Sequence, residues 1–113
     1  MNTWLTRDLL ICIAAAAAEL AGCYAFWRWQ RWSDPLWVTA PGIISLILFA
    51  FLLTKVDSPL PARVYAAYGG IYIAMSCAWL AITEGLRPSI YDIIGTALAL
   101  LGSVIIFLGP RLG

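Results

Sequence analysis

The sequence contains no histidine and few charges of either sign. Seven lysine and arginine residues stand against six aspartate and glutamate residues, so 12% of the 113 residues are charged, whereas a soluble domain carries about 25%. The net charge of +1 leaves no basic excess for a phosphate backbone, so nucleic acid is not expected as a partner. Without histidine, imidazole general bases and histidine-ligated metal sites are excluded. We expect neither a metal nor another cofactor.

Apolar residues make up 63% of the chain and fall into four long stretches. These stretches, of 18 to 20 residues each, cover 9–27, 35–54, 64–83 and 93–110. A helix needs about 20 residues to cross a hydrocarbon core of about 30 Å. The sequence therefore predicts an all-α membrane protein in which residues 1–113 form a single four-helix transmembrane domain, a multi-pass protein in a lipid bilayer.

Prolines and aromatic residues support these boundaries. Ser33 and Asp34 precede Pro35 as a helix cap precedes a first-turn proline. Inside the second stretch, Pro41 beside Gly42 predicts a bend, because proline removes a backbone hydrogen bond. Amphipathic rings, which favour the headgroup region, cluster at the ends of the stretches. They are Trp4, Trp27, Trp29, Trp32, Trp37 and Tyr91.

Glu19 is the one charged residue inside the four stretches. It lies one position from the middle of 9–27, about 1.5 Å from the bilayer centre. An ionised carboxylate at that depth costs about 3 kcal/mol even on lenient scales. We therefore expect Glu19 to bind a proton and a cation in turn. The alternative is a protonated carboxyl that hydrogen-bonds neighbouring helices together.

The helical spacing of the sequence predicts that side chains suited to a binding pocket surround Glu19. On its own helix, Ala14, Ala18 and Gly22 form a small-residue face that another backbone can approach. On the third helix, an aromatic stripe follows steps of three and four residues. Its members are Tyr65, Tyr68, Tyr72, Met75 and Trp79. The hydroxyls, the indole N–H and the ring faces suit a carboxyl and a bound cation. Ordinary packing between helices is the alternative for each ring.

Glycines mark two further features. Gly69 and Gly70 have no side chains, so this segment of the third helix is suited to bending or to close packing. Gly95, Ala99 and Gly102 form a small-residue seam on the fourth helix, which predicts packing against a second copy of the chain.

The positive charges scarcely distinguish the two sides of the membrane. One side holds four and the other three, if the helices alternate in direction. They are Arg7, Lys55, Arg63 and Arg111 against Arg28, Arg31 and Arg87. Such a small bias allows both orientations to be inserted. An antiparallel homodimer would then form an inverted repeat with two Glu19 side chains near the midplane.

Several segments together resemble a known family. They are Ala18-Glu19-Leu20-Ala21-Gly22-Cys23-Tyr24, Pro41-Gly42, Arg63-Val64-Tyr65-Ala66-Ala67-Tyr68-Gly69-Gly70-Ile71-Tyr72, Gly85-Leu86-Arg87-Pro88 and Asp92-Ile93-Ile94-Gly95. Over nearly the whole chain they resemble the YnfA-type family of small bacterial inner-membrane proteins. That family is in turn similar to the small multidrug resistance transporters.

This resemblance implies a role for each of the residues above. Glu19 corresponds to the shared proton and cation site, Tyr65 and Tyr68 to third-helix aromatic positions, and Gly69 with Gly70 to a flexible point. Gly95 and Gly102 correspond to the dimer seam. The resemblance implies an antiparallel homodimer, in the bacterial inner (plasma) membrane, that exports small cationic compounds in exchange for protons.

Residues and resemblance together predict a proton-coupled exporter of small organic cations or toxic compounds. Its proton and substrate site would comprise Glu19, Tyr65, Tyr68, Tyr72 and Trp79. The alternative is a non-transporting assembly or regulatory subunit in which Glu19 hydrogen-bonds between helices. An enzyme is not expected, because Glu19 has no nucleophile, base or metal-ligand set at its depth.

Overall fold

The computed structural model describes residues 3–56 and 60–112 and contains only helices within those ranges. The four α-helices are α1 (Thr3–Arg31), α2 (Thr39–Leu53), α3 (Pro61–Ile82) and α4 (Ile90–Leu112). A short 3-10 helix, Leu36–Val38, precedes α2. The prediction of an all-α chain is confirmed for the described residues.

Four segments of these helices are long and apolar enough to cross a membrane, counting the described residues alone. They are Thr6–Arg31, Leu36–Leu53, Pro61–Ile82 and Ile90–Gly109. Each contains most of one predicted stretch, so the number and order of the membrane spans are confirmed.

Helix ends differ from the predicted boundaries where charged residues continue a helix. α1 begins at Thr3 and includes Arg7 and Asp8, which the sequence placed in a tail outside the first span. α4 begins at Ile90 because Ser89 and Asp92 cap it. The Ser89 Oγ accepts from the Asp92 N–H at 3.2 Å, and the Asp92 carboxylate accepts from the Ser89 N–H at 2.8 Å. This reciprocal pair is a capping box.

The start of the second span differs from the sequence prediction in two ways. Asp34 caps no helix, because its Oδ2 accepts a bond from Arg28 Nε at 2.6 Å instead. Pro41 lies in the first turn of α2, where helix N–H groups have no intrahelical partner, so its missing N–H breaks no bond there. The change of geometry occurs just before it, between the 3-10 helix and α2.

The chain divides into two compact units, Met1–Lys55 and Val56–Gly113. In the first unit, α1 and α2 form an antiparallel hairpin whose crossing lies at Gly22 and Gly42. A Cβ atom at Gly22 would lie 2.8 Å from the Gly42 carbonyl oxygen. Close to this crossing, Ser45 Oγ donates to the Ala18 carbonyl at 2.7 Å. Small residues thus allow the two backbones to approach closely, as membrane helices require.

In the second unit, α3 and α4 form a hairpin with a glycine on one helix. A Cβ atom at Gly70 would collide with Ser103 Oγ and lie 2.6 Å from the Ala99 carbonyl oxygen. The Gly70 N–H donates to Ser103 Oγ at 2.9 Å. Farther along, Cys77 Sγ and Thr96 Oγ1 are 3.1 Å apart. These contacts fix the register of the hairpin.

Candidate functional site

Glu19 occupies the middle of the longest candidate span. Sixteen residues of α1 precede it and twelve follow it. α1 runs without interruption through this point. The side chain is half-buried. The helix is longer at both ends than the predicted stretch and still has Glu19 near its middle. The depth of Glu19 in a bilayer stays a prediction.

The small residues around Glu19 pack differently from the expected row. Ala18 and Gly22 are buried, but Ala14 is exposed, and Ala15 is fully buried in its place. α2 therefore covers Ala18 and Gly22 but not Ala14, and the approach of another backbone at Ala14 stays a prediction. The close approach expected at Gly22 is present, since α2 crosses there.

Asp8 is a second carboxyl on the Glu19 face, which the sequence reading missed. Its side chain has no exposed surface, and Arg7 Nη1 lies 3.7 Å from its Oδ1. Asp8, Cys12, Ala15 and Glu19 follow steps of four, three and four, so they share one stripe of α1. That spacing is visible in the sequence, and it would have placed Asp8 with Glu19 had the helix been extended past Leu9.

The aromatic stripe lies in the second unit, on α3. Tyr68 is buried at 5% exposure, and its ring centre lies 6.1 Å from that of Tyr72. Tyr72 and Trp79 are half-buried, whereas Tyr65 is 57% exposed. The stripe thus begins on an exposed surface and becomes covered along the helix. The expected pocket between these rings and Glu19 would join the two units and stays a prediction.

Gly69 and Gly70 have different surroundings. Gly70 is buried against α4, so close packing is the role that the hairpin gives it. A Cβ atom at Gly69 would meet no heavy atom within 4 Å. α3 is continuous through both residues. Bending at this point stays a prediction.

On α4, the seam residues are partly open. Cβ atoms at Gly95 and Gly102 would meet nothing within 4 Å, and Ala99 turns its carbonyl oxygen towards Gly70 of α3. Open space at two glycines seven residues apart leaves room for another helix to approach. Packing of a second chain on this seam stays a prediction.

No group of three cysteine, aspartate or glutamate side chains within the described ranges is placed to hold a metal ion. The first unit holds the Glu19 carboxyl and a second, buried carboxyl on the same face of α1, and the second unit holds the tyrosine and tryptophan rings of α3. Such groups can exchange protons and bind cations without a cofactor.

Comparisons with known proteins agree with the resemblance drawn from the residues. The family model described as "Uncharacterised BCR, YnfA/UPF0060 family" matches residues 5–112. A protein of Ectopseudomonas mendocina (strain ymp), described as "UPF0060 membrane protein", is 52% identical over 100 residues, which are 88% of this chain and 91% of that protein. No solved structure matches the chain. The chain belongs to the YnfA/UPF0060 family of membrane proteins.

Proposed function

We propose that the protein exports small organic cations in exchange for protons, with Glu19 as the group that the two share. The observation that carries this proposal is the position of Glu19 near the middle of α1, with sixteen helical residues before it and twelve after it. A charged group at this depth is costly, so membrane proteins keep one chiefly for a function. Protonation or a bound cation would neutralise the carboxylate, and each would displace the other.

The aromatic residues of α3 are the proposed substrate surface. Tyr68 and Tyr72 supply ring faces in contact with each other, and Trp79 continues the stripe. Aromatic faces attract cations, and the attraction strengthens when water is removed. Tyr65, exposed in this chain, completes the proposed surface if the working unit brings another helix over it.

That working unit is proposed to be an antiparallel homodimer in the bacterial inner membrane. One chain has four spans and a single midplane carboxyl, whereas alternating access relies on two halves that rock against each other. The open positions at Gly95 and Gly102 supply a surface on which α4 helices from two chains can pack. Gly69 and Gly70 are the proposed point at which α3 bends.

Replacing Glu19 by glutamine tests the exchange mechanism. Glutamine keeps the shape of the side chain and can still form hydrogen bonds, but it can neither become a carboxylate nor gain and lose a proton. Purified protein is placed in liposomes that enclose a pH-sensitive dye, and a cationic compound is offered outside. We expect the wild type to move protons when the cation is added, and Glu19→Gln to move none.

Glu84→Gln is the matched control, because Glu84 is an exposed glutamate outside the helices. It should transport like the wild type. Full export by Glu19→Gln would exclude the exchange mechanism. A wild-type protein that folds but moves no protons with any cation offered would favour the alternative, an assembly or regulatory subunit in which Glu19 hydrogen-bonds between helices.

The antiparallel arrangement is tested through orientation. Gln30→Lys combined with Arg111→Gln changes the positive charges on the two sides from four against three to three against four, which should shift the preferred orientation. Single cysteines in the loops, with the native thiols replaced, report orientation through their accessibility to a membrane-impermeant reagent. Variants biased strongly in one direction should lose export alone and regain it when mixed with oppositely biased chains. Full activity of a uniformly oriented variant would contradict the antiparallel dimer.

A further inference from the structure

A groove with a cavity volume of about 660 Å³ lies along the α1–α2 hairpin, near the loop that joins the two helices. All of its lining residues belong to the first unit. Its walls include Ala21, Tyr24 and Arg28 on α1, with Trp37 and Ser45 on the other side. Its volume is in the range of small-molecule binding sites.

A paired positive and negative charge lies at one end of this groove. Arg28 Nε donates to Asp34 Oδ2 at 2.6 Å, and both side chains keep contact with solvent, at 45% and 26% exposure. The bond uses one of the five N–H donors of the guanidinium and one of the two carboxylate oxygens. The pair therefore keeps hydrogen-bonding capacity for a ligand of either sign.

Aromatic rings hold the arginine in place. The guanidinium carbon lies 5.7 Å from the ring centre of Tyr24 and 5.8 Å from that of Trp32. The two rings meet edge to face, with their centres 5.7 Å apart. A long side chain that stacks on rings loses less freedom when it binds a ligand, so the charged end of the groove is preorganised.

Arg28 lies in the last turn of α1, and Asp34 lies in the connection to the next candidate span. We therefore expect this end of the groove at the membrane surface and the other end in the membrane interior. Ala21 lies seven residues before Arg28 on α1, which corresponds to about 10 Å along the helix. The walls at that depth are formed by small residues such as Ala21 and Gly42. The charged residues at the surface end of the groove match the headgroup of an amphiphile. The apolar walls below them match its tail.

This groove is separate from the Glu19 site. Ala21, Tyr24, Ala25 and Arg28 follow helical spacing along one side of α1. Glu19 precedes Ala21 by two residues, so it points about 200° away around the helix. A ligand in the groove would therefore occupy a different side of α1 from the proposed proton site.

We propose that the groove binds one zwitterionic phospholipid with a primary-amine headgroup, such as phosphatidylethanolamine. The lipid phosphate accepts from the Arg28 guanidinium, and the ammonium group donates to the Asp34 carboxylate. Both contacts are charge-assisted hydrogen bonds, which are stronger than neutral ones. One acyl chain follows the apolar wall past Ala21.

Charge complementarity selects this lipid over other amphiphiles. An anionic lipid would place its phosphate at Arg28 and leave Asp34 facing a headgroup with no positive charge. A cationic amphiphile would meet the Arg28 guanidinium at the same point. A quaternary ammonium headgroup has no N–H donors for Asp34, so phosphatidylcholine is expected to bind more weakly than the primary amine.

Lipid retention measured by native mass spectrometry tests the proposal. The purified full-length protein is equilibrated in detergent with equal amounts of dioleoyl phosphatidylethanolamine and dioleoyl phosphatidylglycerol, and the bound lipids are counted. We expect the wild type to retain mainly the ethanolamine lipid. In Asp34→Asn the ratio of retained ethanolamine to glycerol lipid should fall about tenfold, because one charge-assisted bond is lost and the groove becomes net positive.

Arg31→Gln is the matched control. Arg31 carries the same charge as Arg28 and follows it by three residues on α1, but it does not line the groove. Its guanidinium lies over Trp27 instead. Its lipid ratio should match the wild type. Ala21→Phe fills the groove without changing charge, and it should lower the retention of the ethanolamine lipid by a similar factor. If Asp34→Asn fails to fold, Ala21→Phe still tests whether the lipid binds in the groove.

Three results would overturn the proposal. The wild type could retain the two lipids equally, Arg31→Gln could change the ratio as much as Asp34→Asn does, or Ala21→Phe could retain as much ethanolamine lipid as the wild type. Replacing the ethanolamine lipid by its choline counterpart without loss of retention would contradict the assigned role of Asp34. Glu19→Gln should keep the wild-type ratio, so this outcome is independent of the transport proposal.

Discussion

In both hairpins a glycine lets two helices approach closely, and a serine hydroxyl lies at the crossing. In the first hairpin, Ser45 donates to the carbonyl of Ala18. In the second, Ser103 accepts from the N–H of Gly70. A carbonyl oxygen can accept two bonds and so keeps its bond within the helix, whereas an N–H has a single hydrogen. The bond to Ser103 therefore competes with the α-helical bond of α3 at this residue.

This difference shows how two similar crossings affect their helices differently. The contact between α1 and α2 leaves the backbone hydrogen bonds of α1 near Glu19 intact. The α3–α4 crossing draws a backbone donor of α3 towards α4, one residue from the open position at Gly69. A helix bends most easily where its own hydrogen bonds are diverted. We therefore expect the α1–α2 hairpin to be the stiffer one, and α3 to adjust near Gly69 and Gly70.

The largest effect is expected from Gly70→Ala. The added methyl would collide with Ser103 Oγ and the Ala99 backbone, so the hairpin would lose about 2 to 3 kcal/mol of stability. Thermal unfolding in detergent, followed by circular dichroism, measures the loss. Gly69→Ala is the control beside it, and it should be neutral or stabilising by up to about 1 kcal/mol because alanine favours a helix. Equal losses in the two variants would show that α4 does not pack at Gly70.

A smaller loss is expected from Gly22→Ala, about 1 to 2 kcal/mol. The nearest atoms to the added methyl belong to the Leu46 side chain, which can move, although the Gly42 carbonyl oxygen at 2.8 Å cannot retreat as easily. Adding Leu46→Ala should recover part of the loss, and a double-mutant cycle on thermal stability measures the coupling. Simple additivity of the two changes would contradict the contact between Gly22 and Leu46.

The smallest effects are expected from the serines. Ser45→Ala and Ser103→Ala should each cost about 0.6 kcal/mol, the average for hydrogen bonds between membrane helices. The two variants should differ in the nuclear magnetic resonance signals of the α3 backbone. Ser103→Ala should shift the amide proton of Gly70, which loses its acceptor, while Ser45→Ala should leave that proton unchanged. An unchanged Gly70 amide in Ser103→Ala would remove the proposed difference between the hairpins.

The spans themselves could be predicted because long uncharged stretches have few alternatives in a chain this apolar. The centre of α1 was also predictable, since lengthening the helix at both ends left Glu19 in the middle. The helix ends were harder. The sequence prediction ends each span at a charged residue, but Asp8 is buried inside α1 and Arg7 keeps its charged end exposed beside it.

Local polar pairs explain the remaining differences. Asp34 looked like a helix cap in the sequence, but Arg28, six residues earlier, becomes its partner once the loop folds back. The exposure of Ala14 and Tyr65 could not be predicted from the sequence either, because helical spacing shows which residues share a face but not which neighbour covers that face. The spacing of Ser89 and Asp92 is visible in the sequence, and treating it as a capping box would place the start of α4 at Ile90 instead of residue 93.

The central position of Glu19 also determines how a proton that reaches it responds to the membrane voltage. With Glu19 near the middle of α1, a proton arriving from one face would cross about half of the electric field, and a proton leaving to the other face would cross the rest. At 100 mV each half amounts to about 1.2 kcal/mol per elementary charge. Voltage would then act about equally on proton uptake and proton release.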